Sequence, residues 1–147
     1  MASMGTRRFA VEYIDSLLAR SDESAQAELI GVMTSWSGYD RSQHLCGLTQ
    51  ALLAYVEATC WLAQSFRSGA WTYYEATPEF VQRDVRDALR RLGRADFCEI
   101  YGEGMREWDQ PSRAVNVDAW LTRNEHLLRL WLKAVAEAHR EDILTLS

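Results

Sequence analysis

Residues 66–77 read Phe66-Arg67-Ser68-Gly69-Ala70-Trp71-Thr72-Tyr73-Tyr74-Glu75-Ala76-Thr77 (FRSGAWTYYEAT), a Ser-Gly break followed by three aromatic residues. On both sides apolar residues recur every three to four positions, the period of a helix packed on one face. A glycine closing such a run is a stop signal, because it enters left-handed backbone conformations at no steric cost. The three rings have three readings: the floor of a catalytic pocket, a recognition surface, or core packing at a bend. Physical preference goes to the last. Gly69 turns the chain, and Trp71, Tyr73 and Tyr74 pack the bend against the core while their polar atoms reach water or backbone.

Upstream of the break, the spacing predicts a long helix from about 42 to 68, lined by Leu45, Leu48, Leu52, Val56 and Leu62. It is apolar on most of its circumference, which marks it as the central helix. Downstream, Thr77-Pro78-Glu79 reads as a hydroxyl cap, a first-turn proline and an acid. The helix that follows turns Phe80, Val81, Val85, Ala88, Leu89 and Leu92 inward and stops at Gly93. A further helix spans about 95 to 107, weakened by Gly102 and Gly104. After the loop Asp109–Asn116, with Asn116 as cap, a last helix runs from about 117 to 140. Its wide apolar face carries Trp120, Leu121, Leu127, Leu128, Trp131, Leu132 and Val135. Two earlier helices cover about 6 to 20 and, from Ser21-Asp22-Glu23, up to about Trp36 and Gly38. The expectation is all-α: one domain over 1–147, a bundle of five to seven helices with the long helix buried at its centre. Leu52, Val56, Leu62, Leu89, Leu92, Leu128 and Trp131 are expected in the core. Residues 1–5 read as an expression leader or a disordered start.

Composition bounds the function. At 147 residues, 48% hydrophobic and 25% charged, the chain is ordinary globular material. The net charge of −5 lacks the basic footprint of direct nucleic-acid binding. No apolar run reaches the roughly 20 residues of a membrane span. Cys46, Cys60 and Cys98 show no CxxC pair and read as free thiols of a cytoplasmic protein. His44, His126 and His139 have no spaced partners that would make a metal site, and no phosphate loop or nucleophile signature is present. The expectation is a non-enzyme with no cofactor and no metal.

Charge order says more. Arg83, Arg86, Arg90, Arg91 and Arg94 interleave with Asp84 and Asp87 as a partly self-paired face. The sign then reverses: Asp96, Glu99, Glu103, Glu107 and Asp109 have no basic residue among them except Arg106, and the first four are spaced three, four and four. At about 1.5 Å rise per residue, carboxylates four apart sit about 6 Å apart along one stripe, close to the phosphate spacing of a nucleic-acid strand. An ordinary solvated helix face is the preferred explanation of the pattern, since like charges at this spacing are common and cost little, and folding back of Arg83, Arg86, Arg90 and Arg94 would erase it.

A helix closing on Ser68-Gly69-Ala70-Trp71, then Tyr73-Tyr74, then Ala88-Leu89-Arg90-Arg91-Leu92-Gly93 before a helix containing Ile100, resembles the DNA-mimic-protein-19-like family of small bacterial domains. The resemblance covers about residues 50–107. The family pattern begins NGGF; Ser68 stands at its asparagine, Ala70 at its second glycine, and Ala76 or Thr77 at a later asparagine. The resemblance implies an all-helical fold without catalytic residues, and an acidic protein that occupies the DNA-binding face of a transcription factor. A toxin-like basic partner fits the same mechanism, and exposed Trp36 or Trp108 could seed a homodimer. The partner-binding candidates are Asp96, Glu99, Glu103 and Glu107. The alternative is a small-molecule or catalytic pocket at Trp71, Tyr73 and Tyr74, with Glu75 or His44 as its polar group.

Overall fold

The computed structural model describes residues 8–35, 39–41 and 47–147. Among them are eight helices and no sheet. Element order is α1 (Val11–Leu18), α2 (Glu23–Thr34), α3 (Gln50–Ser68), α4 (Ala70–Ala76), α5 (Glu79–Arg91), α6 (Ala95–Glu107), α7 (Val115–Ala138) and α8 (Arg140–Leu146). The all-α expectation is met, with one helix more than the upper count.

Two of the eight have no counterpart among the six helices read from the sequence: α8, and the aromatic stretch itself. Gly69 takes φ 98 and breaks the helix for one residue only, after which the chain resumes as α4. Glycine has no side chain to cap the new N-terminus, so Asp118 of α7 does so from across the fold, its Oδ1 accepting from the Ala70 N–H at 2.8 Å. Burial raises the Asp118 pKa, and the Ala70 N–H counters part of that. The bend is therefore a helix corner.

α3 is central, with twelve of its nineteen residues buried, and it packs most extensively on α4, α5 and α7. It is shorter than expected, because Thr49 caps it through the Leu52 N–H and helix begins at Gln50, not near Ser42. Residues 42–46, with Leu45, His44 and Cys46, lie outside the described residues, as do Trp36 and Gly38. The longest helix is α7, at 24 residues.

Two expected caps are corrected. Pro78, not Thr77, holds the N-cap position of α5, and Thr77 instead donates Oγ1–H to the Tyr73 carbonyl at 2.6 Å. Asn116 lies inside the first turn of α7, whose N-cap is Ala114 at φ 58. Gly93 performs as expected: at φ 82 its N–H bonds the Arg90 carbonyl while the Arg94 N–H bonds that of Leu89, the paired closure of a left-handed helix end.

Leu52, Val56, Leu62, Leu89 and Leu128 are buried as expected, whereas Leu92, at the α5 C-cap, and Trp131 are only partly so. Leu127 is 42% exposed. It stands about 100° round the helix from Leu128, so the inward face of α7 is narrower than its sequence suggests. Asn124 leaves helical geometry at φ −116, and its amide donates to the Trp120 carbonyl at 2.8 Å, satisfying an acceptor beside the kink. α1, α2 and α8 cover one side of this body. Arg140 clamps Asp15 through two bonds of 2.7 and 3.0 Å, and Arg129 exchanges bonds with the fully buried Gln26.

The two glycines of α6 differ in purpose. A Cβ on Gly104 would fall 2.2 Å from the Tyr74 ring, which is itself buried, whereas one on Gly102 would meet only the Arg86 and Arg106 side chains at 3.6 Å. Gly104 thus exists to let Tyr74 lie on α6. Gly104→Ala should cost about 1–3 kcal/mol by overpacking, while Gly102→Ala should gain up to about 1 kcal/mol from helix propensity. Paired thermal denaturation of the two variants checks this, and equal behaviour would refute the assignment.

Candidate functional site

α6 presents Phe97, Tyr101 and Gly104 to the core. With that face fixed, the helical period places Asp96, Glu99, Glu103 and Glu107 together on another side. Asp96 and Glu99 are exposed, and Glu103 and Glu107 are half-buried. The structure brings all four onto one stripe but does not leave all four free. Arg94 grips Asp96 through bonds of 3.0 and 2.7 Å, which lowers the Asp96 pKa, while its guanidinium stacks 3.9 Å over the Phe97 ring.

Two of the other three candidate arginines are paired elsewhere. Arg83 pairs with Glu79 and Arg90 with Asp87, each on its own helix. Arg86 lays its stem toward Gly102, about 100° round α6 from Glu103. Glu99, Glu103 and Glu107 form no ion pair among the described residues. The sign change at Gly93 thus survives folding over most of the stripe.

The aromatic motif leads inward. Tyr73 and Tyr74 are buried, and Trp71 is half-buried beneath the Arg113 guanidinium at 4.5 Å. The Tyr74 O–H donates to the Tyr101 carbonyl at 3.0 Å, a backbone acceptor as expected. Tyr73 departs from expectation: its hydroxyl reaches neither water nor backbone but a carboxylate, donating to Glu57 Oε1 at 2.9 Å. Glu57 is 0% exposed at the middle of α3. It also accepts from the Tyr39 hydroxyl and, at 3.1 Å, from Arg41 Nη2. Arg41 Nε lies 3.0 Å from Oε2 but is not aligned for a hydrogen bond, so that contact is coulombic. Arg41 Nη2 further donates to Thr77 Oγ1.

The proton order of this network follows. Tyr73 gives its hydrogen to Glu57, so at the 2.7 Å contact between hydroxyls Tyr101 is the donor. Burial, reinforced by the Glu57 charge, holds the Tyr73 and Tyr101 pKa values above the usual phenol range. Burial also works against the Arg41 charge, but Glu57 and its neighbours outweigh it and the net shift is upward. Glu57, Arg41 and Tyr39 do not stand out in the sequence, whereas the period of the helix over 95–107 places Tyr101 on its apolar side, where it is buried. The available signal was the lone acid in the apolar run Leu52–Leu62.

The three rings do not converge on one pocket. Tyr73 borders a cleft of about 240 Å³ with Arg41, Cys60 and Gln64; Tyr74 and Glu75 border another of about 340 Å³. Trp71 lines neither of these clefts. Burial pushes the Cys60 thiol up to about 11, away from nucleophilic behaviour at neutral pH. His126 is exposed, and His139 sits 3.4 Å from Asp142 near the end of α7. Among the described residues no group of His, Cys, Asp and Glu is arranged to hold a metal, and no helix is long and apolar enough to cross a membrane.

Comparison with family models, curated proteins and solved structures finds no match to this chain.

Two outcomes test the buried network. Arg41→Ala leaves the Glu57 carboxylate without its cation and should cost about 3 kcal/mol. Adding Glu57→Gln should recover part of that loss in a double-mutant cycle, whereas strict additivity would mean that the pair is not coupled. The pH dependence has a definite sign. Because the folded Tyr73 and Tyr101 pKa values are raised, their contribution is complete below the unfolded value of about 10 and is lost as pH rises above it. Loss of helical circular dichroism and gain of tyrosinate absorbance should therefore coincide in alkali. Tyrosinate from all six tyrosines appearing with the fold intact would sink the assignment.

Proposed function

We propose that this protein is a non-enzymatic, acidic interaction protein that presents α6 to a basic protein surface, as a DNA mimic or an inhibitor of a toxin-like partner does. The observation that carries the reading is the row Glu99, Glu103 and Glu107, without ion pairs among the described residues, while Arg83, Arg90 and Arg94 are engaged with Glu79, Asp87 and Asp96. Asp96 belongs to the same stripe but reaches a partner only by exchanging Arg94. The resemblance over residues 50–107 points the same way. Against an enzyme stands the position of the convergent ionisable groups: Glu57 has no accessible surface, and its oxygens are occupied by Tyr39, Arg41 and Tyr73.

Carboxylates in a row raise the rate of encounter with a positive surface and reject a negative one. Glu99 contributes little to folding, since an exposed charge is worth a few tenths of a kcal/mol to about 1 kcal/mol, and the half-buried Glu103 and Glu107 have no ion pair to lose among the described residues. The partner is a protein such as a transcription factor, reached without nucleic acid, membrane or cofactor.

Affinity capture from the native host tests this, using the wild type and the triple variant Glu99→Gln, Glu103→Gln, Glu107→Gln as baits. The variant should keep its melting temperature and bind the captured partner about tenfold or more weakly. Salt should weaken the wild-type complex, because screening shortens the reach of exposed charges to about 8 Å at physiological ionic strength. For a DNA mimic, duplex DNA should displace the partner. Identical capture by both baits would end the reading.

A further inference from the structure

The stripe on α6 runs out at Glu107, and the next residue, Trp108, enters the 340 Å³ cleft between α6 and the α4–α5 corner. Tyr74 and Met105 line its apolar side, and Glu75 and Glu79 its rim. Among the described residues no lysine, arginine or histidine lines it. Glu75 is exposed and forms no ion pair among the described residues. Glu79 is held by Arg83, an exposed partner one helical turn away that solvent or a competing cation can replace.

Gln82 is the informative residue. It is only 4% exposed, yet it lines the cleft. Its Nε2 donates to the carbonyls of Tyr74 at 2.9 Å and Thr77 at 2.8 Å, which fixes the orientation of the amide. The oxygen Oε1 is then the unspent end, and among the described residues it accepts no hydrogen bond. The residue is nearly buried, but this oxygen is open to the cleft, where water satisfies it and a ligand donor can take the water's place. Apart from the Trp108 indole N–H, the polar groups with capacity left here are acceptors, the Gln82 amide oxygen and the carboxylates of Glu75 and Glu79. A planar cation with several N–H donors satisfies all three demands at once: it stacks on the ring, pairs with the carboxylates and donates to the amide oxygen.

We propose that this cleft is a guanidinium site that receives an arginine side chain of the basic partner and anchors it at the end of the acidic row. It rests on the proposed function for the nature of the partner, but not for the existence of the site. The row gives long-range attraction, and the cleft gives the desolvated contact that fixes register, in the way arginine and aromatic pairs concentrate binding energy at interfaces. The N-terminus of α5 also opens here and favours anions, and Glu79 in its first turn already answers it.

The test is a titration of the full chain with acetyl-arginine amide, read from the Trp108 indole resonance as assigned by Trp108→Phe. Salt is matched by sodium chloride. A saturable shift is expected, absent with acetyl-citrulline amide, which has the same shape without the charge. Glu75→Gln, at an exposed position, should weaken the probe on the order of tenfold, while Glu99→Gln with Glu103→Gln should leave it unchanged. No saturable shift, an equal response to citrulline, or indifference to Glu75→Gln would overturn the site. The two readings fail separately. Arginine binding by a protein whose partner capture ignores the stripe keeps the cleft and removes the decoy. Capture that needs the stripe, with no arginine response, keeps the decoy and removes the cleft.

Discussion

The carboxylate of Glu57 is the constraint on which the arrangement depends. A charge fully removed from water is tolerated only when its lone pairs are satisfied and an opposite charge is near. Tyr39, Arg41 and Tyr73 do this from two separate parts of the chain. Arg41 then reaches Thr77 at the end of α4, and Tyr73 reaches Tyr101 on α6. One group on the central helix therefore locates the segment before α3, the corner after it, and the helix that bears the acidic row. Apolar packing alone would have left those rotations less defined, because methyl groups fit many registers and a hydrogen-bonded carboxylate fits few.

The next layer follows from that placement. With Tyr101 bound to Tyr73, the face of α6 that meets α4 is fixed, and Tyr74 is brought against the same helix. A tyrosine ring fits there only because residue 104 has no side chain. Trp61 adds an edge-to-face contact with Tyr101 at 5.2 Å, and Phe97 does the same with Trp131. Once the inner face is filled in this way, the period of the helix turns Glu99, Glu103 and Glu107 away from the core. Their direction is a consequence of core chemistry rather than a separate surface feature.

Much of this was legible, and the gaps have physical causes. Period and stop signals located the helices well at Asp22, Gly69 and Gly93, where a local device decides the end. They failed where a distant group decides it. Nothing near Gly69 announces that Asp118 will cap a new helix, so the aromatic stretch reads as a bend. Thr77-Pro78-Glu79 carries a helix-start pattern, but Thr77 is taken by Tyr73 and Arg41. The start of α3 was placed too early because Leu45 and Leu48 continue the apolar spacing, which cannot see that Thr49 supplies a cap. For the site, the carboxylates could be placed on one stripe, but their ion pairs depend on rotamers and neighbours. Of four candidate arginines only Arg94 reaches back, because Arg83 and Arg90 find carboxylates one turn away on their own helix. Glu57 and Gln82 were missed for a shared reason. Each is a polar residue whose role is set by partners 16–18 and 5–8 positions away, respectively, and single-sequence spacing carries no record of such pairs.

The separation between buried and exposed acids also governs what this fold can vary. Glu57 is coupled to three elements, so a change there has to be matched at Arg41 or Tyr73 to keep the core satisfied. A carboxylate on the outer face of α6 has no such partners, and exchanging it alters stability by only a few tenths of a kcal/mol to about 1 kcal/mol. Under the proposed function, the outer row could therefore be refitted to a different basic surface while the inner network stays constant. Gln82 and Trp108 lie between these limits, since each is held by the core on one side and open to the cleft on the other. Specificity for a partner is most economically placed at that boundary. A side chain anchored in the core has little rotational freedom left to lose when a ligand arrives, so the contact it makes there retains more of its gross strength than one made by a mobile surface glutamate.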